Sequence, residues 1–357
     1  MDYQGRLVRL RRALSDQKLN GLLVTHLPNI HYLCGFTGSS GALLVTEGRS
    51  VFFTDGRYAE QANAEVQGSQ VRIVRKSALA AAARSFRTSR VRRIALEAAH
   101  LTVAERAVVT TMAGPRRIID AAPIVEELRE IKDVDEIEKI RAACHLGNEL
   151  FDRVKAVLKA GISEAEVAGE LEFAARKRGI EQMAFPTIIA AGKRSALPHG
   201  RASGAAIPPT GFVVCDFGVI LAGYCSDMTR TVHVGPPQPK ARRVYDAVRE
   251  AQQAAVEAVK PGVTAGEVDR ASRNVLKIHS LDQFFTHSTG HGLGLEIHEA
   301  PRIAAGQKKE LKAGMVITIE PGAYLPGKWG VRIEDTVVIT ESGCGILTPG
   351  SKDLISL

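Results

Sequence analysis

The fold is indicated by a stretch of nine residues that occurs twice, first as Lys159-Ala160-Gly161-Ile162-Ser163-Glu164-Ala165-Glu166-Val167 and, 101 residues later, as Lys260-Pro261-Gly262-Val263-Thr264-Ala265-Gly266-Glu267-Val268. In each copy a glycine precedes a Ser or Thr that is followed three residues later by Glu. This pattern predicts that one helix ends at the glycine and that the next helix opens with a capping box. The repeat therefore predicts a domain of two related α–α–β units. Chance similarity over nine residues is the alternative.

The residues after each copy support the duplication. A histidine segment comes first, and two acidic residues then lie on predicted strands. The first copy is followed by His199, Asp216 and Asp227, and the second by His291, His298, Glu320 and Glu334. The matching order counts against a chance similarity, and a pseudo-two-fold arrangement would bring the two acidic pairs face to face.

The acidic residues are in stretches that predict buried positions. Asp216 ends the apolar run 212–215, which is typical of a strand buried on both faces. Glu320 ends the run 315–319 in the same way. Buried carboxylates without partners are costly, and a pair of divalent cations removes that cost. We therefore predict a shared metal site. For each acidic pair taken alone, a surface hairpin or a single acid before a turn is the alternative.

The ligand types restrict the metal and the reaction. His291 lies between Gly290 and Gly292, which predicts a shaped loop, with a surface histidine as the alternative. An oxygen-rich site with one imidazole suits Mn²⁺, Fe²⁺ or Co²⁺ and accepts Zn²⁺. Two such ions about 3.5–4 Å apart acidify a water molecule and polarise a carbonyl group. The residues therefore favour hydrolysis of an amide bond over redox chemistry.

Composition excludes several other classes. No run of about 18 apolar residues predicts a membrane span, and the charged N-terminal segment does not resemble a secretory signal. Five cysteines without a CxxC pattern argue against a disulfide framework. We therefore expect a cytoplasmic protein without a membrane partner. The net charge is +8, with basic clusters at 9–12 and 90–93, but aromatic residues are only 5% of the chain, so we expect a solvated surface and no nucleic-acid partner.

The N-terminal region alternates between short apolar runs and helical spacing. This predicts an α/β domain with a mixed sheet, joined by a connector at 121–132 to a long helix that begins near residue 134. The predicted strands are 21–25, 41–46, 50–54, 71–74 and 93–96, and the predicted helices are 7–19, 55–66 and 78–86.

Four motifs together resemble those of the pita-bread metallopeptidases, a group that includes methionine aminopeptidase, aminopeptidase P, prolidase and creatinase. The motifs are Asp-x10-Asp at 216–227, Gly-His-Gly-Leu-Gly at 290–294, Ile-Glu-Pro-Gly at 319–322 and Val-Arg-Ile-Glu-Asp at 331–335. Within the group, the chain most resembles the short Xaa-Pro peptidases. The resemblance implies a creatinase-like (ribonuclease-H-like) mixed-sheet domain at 1–125 and a catalytic pita-bread domain with internal pseudo-two-fold duplication at 133–357. It also implies a homodimer.

The resemblance implies a role for each metal ligand. Asp216 would chelate one ion, and Asp227 and Glu334 would bridge both. His291 and Glu320 would bind the other ion, and Glu320 would also act as the general base. Two divalent ions per chain are implied, with Mn²⁺ expected and Co²⁺, Zn²⁺ or Fe²⁺ as alternatives.

The resemblance also implies substrate-binding residues. His199 and His298 match histidines that contact the substrate and help to stabilise the tetrahedral intermediate. Arg332 and Tyr324 match residues near the substrate and behind the metal ligands. The alternatives are a loop histidine for His199, a structural role for His298 and, for Arg332, a buried partner that orients the ligand acids.

Arg302 distinguishes two activities within the group. It matches an arginine that prolidases pair with the carboxylate of the substrate proline and that aminopeptidases P usually lack. A guanidinium can form two parallel hydrogen bonds to a carboxylate, so we predict an Xaa-Pro dipeptidase. Aminopeptidase P, acting on longer peptides, is the alternative, and so is a solvated loop position for Arg302. A non-catalytic binding module on the same fold is a remote alternative, against which the intact ligand set counts.

Overall fold

The computed structural model describes residues 1–86, 93–114 and 117–357, and the chain forms two compact units, Met1–Arg129 and Glu130–Leu357. Except for Arg93, the basic cluster at 90–93 lies outside the described residues. None of the described helices combines the length and the apolar character that a membrane span requires.

The first unit is built on a mixed sheet whose six strands are β1 (Gly21–Val24), β2 (Ala42–Thr46), β3 (Ser50–Asp55), β4 (Gln70–Val74), β5 (Arg93–Glu97) and β6 (Arg117–Ala121). The strand order is β4-β3-β2-β1-β5-β6. Pairs β1–β2 and β2–β3 are antiparallel, whereas β3–β4, β1–β5 and β5–β6 are parallel. The predicted mixed α/β sheet is therefore confirmed, with β6 as an additional strand.

The helices described in this unit are α1 (Tyr3–Asp16), α2 (Leu27–Cys34), α3 (Ala59–Glu65), α4 (Ala78–Ser85), α5 (Val103–Ala113) and α6 (Ile124–Arg129), with a 3₁₀ turn at Gly56–Tyr58. The sequence did not predict α2, α5 or α6. The boundary between the two units lies inside the predicted connector at 121–132, but α6 occupies half of that segment. Ile124 and Val125 are buried, and the Arg129 guanidinium donates to Asn29 Oδ1 at 2.7 Å. These tertiary contacts make α6 part of the first unit.

The second unit contains four long helices and thirteen described strands. The helices are α7 (Val134–Val157), α8 (Glu164–Lys177), α9 (Pro239–Ala258) and α10 (Ala265–Ile278), with 3₁₀ turns at Gly192–Ala196 and Asp282–Phe284. The strands are β7 (Gln182–Met183), β8 (Ile188–Ala191), β9 (Gly211–Phe217), β10 (Val219–Leu221), β11 (Tyr224–Cys225), β12 (Met228–Val234), β13 (Gly290–Gly292), β14 (Glu299–Ile303), β15 (Val316–Ile319), β16 (Gly322–Leu325), β17 (Trp329–Arg332), β18 (Asp335–Ile339) and β19 (Cys344–Ile346).

The two copies of the repeated stretch adopt the same local structure. Ser163 with Glu166, and Thr264 with Glu267, form capping boxes at the starts of α8 and α10. The glycines were predicted to end the preceding helices, but α7 and α9 end four residues earlier. Gly161 and Gly262 instead lie in the connecting turns with φ of +87° and +83°, a conformation that glycine adopts without strain.

Each helix pair is followed by an antiparallel sheet at whose strand ends the acidic residues lie. The first sheet has the order β12-β9-β8, and the second has the order β14-β13-β15-β18-β19. Strand β9 pairs with β12 so that Asp216 is opposite Thr229, and β15 pairs with β18 so that Ile319 is opposite Asp335. The predicted duplication of an α–α–β unit is therefore confirmed.

Candidate metal centre

The ends of four strands bring the acidic residues to one cavity of about 710 Å³ in the second unit. Asp216 is the next-to-last residue of β9, and Asp227 directly precedes β12. Glu320 follows β15, Glu334 precedes β18, and His291 is the middle residue of β13. All five side chains line this cavity.

The five side chains approach one another closely. Asp216, Asp227 and Glu334 each present a carboxylate oxygen, and these three atoms lie within 4.8 Å of one another. His291 Nε2 is 3.6 Å from Asp227 Oδ2 and 3.4 Å from Glu320 Oε1. The structure thus brings together the acids of both halves of the duplicated unit and His291, the histidine that the sequence assigned to the metal site.

The donor atoms fit divalent cations. Asp216 Oδ1, Asp227 Oδ1 and Glu334 Oε1 are buried and lack a hydrogen-bond partner among the described residues. Leaving a buried polar atom unsatisfied costs about 1–3 kcal/mol, and more for a charged group. His291 Nδ1 lies 3.0 Å from the Gly292 carbonyl oxygen. A proton on Nδ1 would leave the Nε2 lone pair directed at the acids, as metal-binding histidines require.

Burial and mutual repulsion shift the pKa values of this cluster. Burial, followed by the charge of neighbouring carboxylates, raises the pKa of Asp227 and of Glu334 well above the ordinary range. Burial raises the pKa of Glu320 to about 8 and lowers that of His291 to about 4. The protein alone therefore disfavours the ionised acids, and a bound cation would compensate their charge.

Metal-free protein is expected to lose stability as the pH rises. A carboxyl whose pKa is higher in the folded state stabilises that state fully below its unfolded pKa, and this contribution is lost as the pH rises through the folded pKa. For Glu320 the window runs from 4.5 to about 8, and Asp227 and Glu334 act in the same direction. We expect the Tm of chelator-treated protein to fall by roughly 5–10 °C between pH 5 and pH 8.

Differential scanning fluorimetry measures this shift directly. Glu320→Gln removes one titrating carboxyl, so the fall should be smaller in that variant, and an excess of Mn²⁺ should also reduce it. A metal-free Tm that stayed level or rose over this pH range would contradict the raised pKa values.

The two other histidines assigned from sequence also line the cavity. His199 lies in the loop before β9 and His298 directly before β14, and both are exposed. The rings of His291 and His298 meet edge to face, with centroids 4.4 Å apart. Burial and then the charge of His199 lower the pKa of His298, which favours its neutral form. Arg302, on β14, is exposed and also lines the cavity.

Arg332 lies between the cavity and the residues behind it. Its guanidinium donates to Asp216 Oδ2, to the Tyr324 hydroxyl at 2.7 Å and to Thr229 Oγ1 at 3.1 Å. These contacts agree with the alternative given for Arg332, a buried partner that orients Asp216. Tyr324 is not among the residues that line the cavity, and its hydroxyl contacts Arg332 and His287, which do.

Sequence reasoning missed His287. Its Nε2 lies 2.8 Å from the Tyr324 hydroxyl and its Nδ1 2.8 Å from the Ser288 carbonyl oxygen, and burial lowers its pKa to about 4. Its position four residues before His291 was the available signal. The apolar wall was also missed, because Phe185, Ile188 and Ile297 have no local pattern that separates a cavity wall from a core.

Comparison with known proteins agrees with this geometry. Residues 138–341 match the sequence profile of metallopeptidase family M24, and residues 6–131 match that of the creatinase/prolidase N-terminal domain. An Xaa-Pro dipeptidase of Pyrococcus furiosus is 48% identical over 232 residues, which cover 65% of this chain and 67% of that protein.

Solved structures show the same overall fold. The Xaa-Pro dipeptidase from Bacillus anthracis superposes with a TM-score of 0.96 at 37% identity, covering 99% of this chain and 100% of that one. An X-Pro aminopeptidase from Thermotoga maritima superposes with a TM-score of 0.90 at 35% identity, covering 97% and 100% of the two chains. The predicted fold class, a pita-bread unit with a creatinase-type N-terminal unit, is thereby confirmed.

Proposed function

Because this chain belongs to metallopeptidase family M24, we propose that its cavity hydrolyses the bond between the two residues of Xaa-Pro dipeptides. The protein is a metallo-exopeptidase, and the Xaa-Pro dipeptidase activity agrees with the names of its similar relatives. The observation that carries the proposal is the group of three carboxylate oxygens beside His291 that have no hydrogen-bond partner among the described residues, in a cavity that Arg302 also lines.

We propose that the five residues assigned from sequence hold two divalent ions, with Mn²⁺ as the expected metal. Asp216 would serve one ion, His291 and Glu320 the other, and Asp227 and Glu334 both. When bound, such ions supply Lewis-acid polarisation of the scissile carbonyl group and a water molecule of lowered pKa. The buried carboxylate oxygens, which lack a partner in the described part of the chain, support this assignment.

The residues of the chain would supply proton transfer and orientation. Glu320 in its ionised form would accept a proton from the attacking water, because its carboxylate lies in the cluster, 3.4 Å from His291 Nε2. His298 and His199 would donate hydrogen bonds to the oxygen on which negative charge develops. Arg332 would hold Asp216 in place through the hydrogen bond to Oδ2.

Arg302 would select the length of the substrate. Its exposed guanidinium faces the same cavity as the metal ligands, and no ion pair engages it within the described part of the chain. A dipeptide ends in a carboxylate directly after the scissile bond, whereas a longer peptide places an amide there. We propose that Arg302 binds this carboxylate and so favours dipeptides.

The substrate preference is tested with Ala-Pro and Ala-Pro-Ala. We expect kcat/KM for Ala-Pro to exceed that for the tripeptide, and Arg302→Ala to lower kcat/KM for Ala-Pro by roughly 10–100-fold, the equivalent of a lost charge-assisted contact. Arg270→Ala is the matched control, since Arg270 is an exposed arginine outside the cavity lining. A strong preference for Ala-Pro-Ala would favour the aminopeptidase P alternative, which the Thermotoga maritima structure keeps open.

We also propose that the protein is cytoplasmic and that it forms homodimers. The proposed domain limits are residues 1–125 for the N-terminal domain and 133–357 for the catalytic domain. All five cysteines are free, in keeping with a reducing compartment. The homodimer rests on the family resemblance, and light scattering coupled to size-exclusion chromatography tests it. A monomeric mass at working concentration would contradict it.

A further inference from the structure

A buried ion pair lies at the wall of the cavity, which Glu299 helps to line, and none of the roles above includes it. Lys132 Nζ is 2.9 Å from Glu299 Oε2, and the two side chains are only 1% and 7% exposed. Lys132 lies between the two family matches, since the N-terminal domain match ends at residue 131 and the metallopeptidase match begins at residue 138. Its backbone N–H donates to the Gly314 carbonyl oxygen at 2.9 Å, which fixes it within the second unit.

Glu299 also organises the loop between β13 and β14. Its Oε1 accepts a hydrogen bond from the Glu296 backbone N–H at 3.1 Å. A Cβ atom at Gly294 would lie 2.9 Å from both Glu299 carboxylate oxygens and 3.0 Å from Lys132 Cε. The ion pair therefore packs directly on the loop backbone, at a place where only glycine fits without displacement.

This loop carries His298. His298 is partly exposed, and its ring meets His291 edge to face, so packing on one side alone does not fix its orientation. A donor that stabilises a transition state must already be oriented before the reaction, because otherwise the binding interaction is weakened by the cost of ordering it. Glu299 is the next residue along the chain, and its carboxylate is anchored on one side by Lys132 and on the other by Glu296.

We propose that Lys132 and Glu299 form a positioning pair that holds the 293–298 loop so that His298 points into the cavity. This inference rests on the proposed function, since it uses His298 as a substrate-contacting donor. Breaking a buried pair leaves an uncompensated charge, which would displace the loop. The pair would then affect turnover through His298 and not through direct contact of Lys132 with the substrate.

A double-mutant cycle tests this dependence. In the Mn²⁺-loaded enzyme, Lys132→Met should lower kcat for Ala-Pro by about 10–100-fold with less than a threefold change in KM. In the His298→Ala background the same substitution should lower kcat by less than about threefold, because the side chain that Lys132 positions is already absent. Lys132→Arg should recover most of the activity.

The control is Lys309→Met, which removes a lysine that pairs with Glu130 at 2.8 Å but is 43% exposed. This variant should keep wild-type kcat. Glu299→Gln keeps an acceptor for Glu296 and removes the charge, so it provides the same comparison if Lys132→Met does not fold. Wild-type kcat in both Lys132→Met and Glu299→Gln would overturn the inference, and so would a loss that adds in full to that of His298→Ala.

A second readout does not depend on activity. In metal-free protein, the imidazole NMR signals of His298, identified by their loss in His298→Ala, should shift or broaden in Lys132→Met. Those of His279, which pairs with Glu250 at 2.9 Å, should stay unchanged. Unchanged His298 signals would overturn the positioning role. A wild-type protein without activity on Xaa-Pro substrates would instead refute the proposed function and leave the NMR comparison to decide the inference.

Discussion

Replacing Glu320 with Gln is expected to lower kcat for Ala-Pro by at least about 10³-fold, because a general base contributes about 10²–10⁴-fold and this residue is also assigned as a metal ligand. Gln keeps the size of the side chain and an oxygen that can accept the hydrogen bond from Thr318 Oγ1, which is 3.3 Å long. The variant should therefore fold. Its kcat is measured with Mn²⁺ in excess, and circular dichroism checks its secondary structure.

The matched control is Glu310→Gln, which changes an exposed glutamate on the same unit and should keep full activity. Turnover by Glu320→Gln within about tenfold of the wild type would remove Glu320 from the role of base. If the variant also lost its secondary structure, the loss of activity would not support a catalytic role. We expect the variant to fold, because removing a buried acid should raise the Tm of the metal-free protein.

The substitution Asp227→Asn is expected to reduce the bound metal from two ions per chain to one or none and to lower kcat/KM by about 10³-fold or more. Asp227 lies at the centre of the cluster, since it shares the 4.8 Å group with Asp216 and Glu334 and its Oδ2 is 3.6 Å from His291 Nε2. Mass spectrometry of metals in protein that has been loaded with Mn²⁺ and desalted gives the stoichiometry.

Stability and activity should move in opposite directions in this variant. Burial and three neighbouring carboxylates raise the pKa of Asp227, so removing its charge should raise the metal-free Tm at pH 8 while activity is lost. Asp282→Asn, at an exposed position, is the control and should change neither quantity. A variant that retained two ions per chain would contradict the bridging role.

Two of the acids that line the cavity could be selected from local sequence patterns alone. Asp216 follows an apolar run that forms β9, and Glu320 follows the run that forms β15. The repeated capping boxes showed that the two halves are related. Apolar runs and capping boxes depend on residues that are close together in the chain, so the sequence alone shows them.

The contacts that lie behind the cavity residues could not be found in the same way. Lys132 and Glu299 are 167 residues apart in the chain, and His287 and Tyr324 are 37 apart. These pairs form only when distant strands and helices pack together in the folded chain, and no local sequence pattern predicts that packing. Helix α6 was missed for a similar reason, since Arg129 contacts Asn29 from 100 residues away.

The central claim is that acids from both halves of the duplicated unit hold two cations in one cavity. Anomalous X-ray diffraction at the manganese absorption edge, from crystals grown with Mn²⁺, tests it most directly. We predict two anomalous peaks about 3.5–4 Å apart, with Asp227 and Glu334 contacting both. An absence of peaks between these residues at saturating Mn²⁺, or a pair of peaks bound elsewhere, would contradict the account.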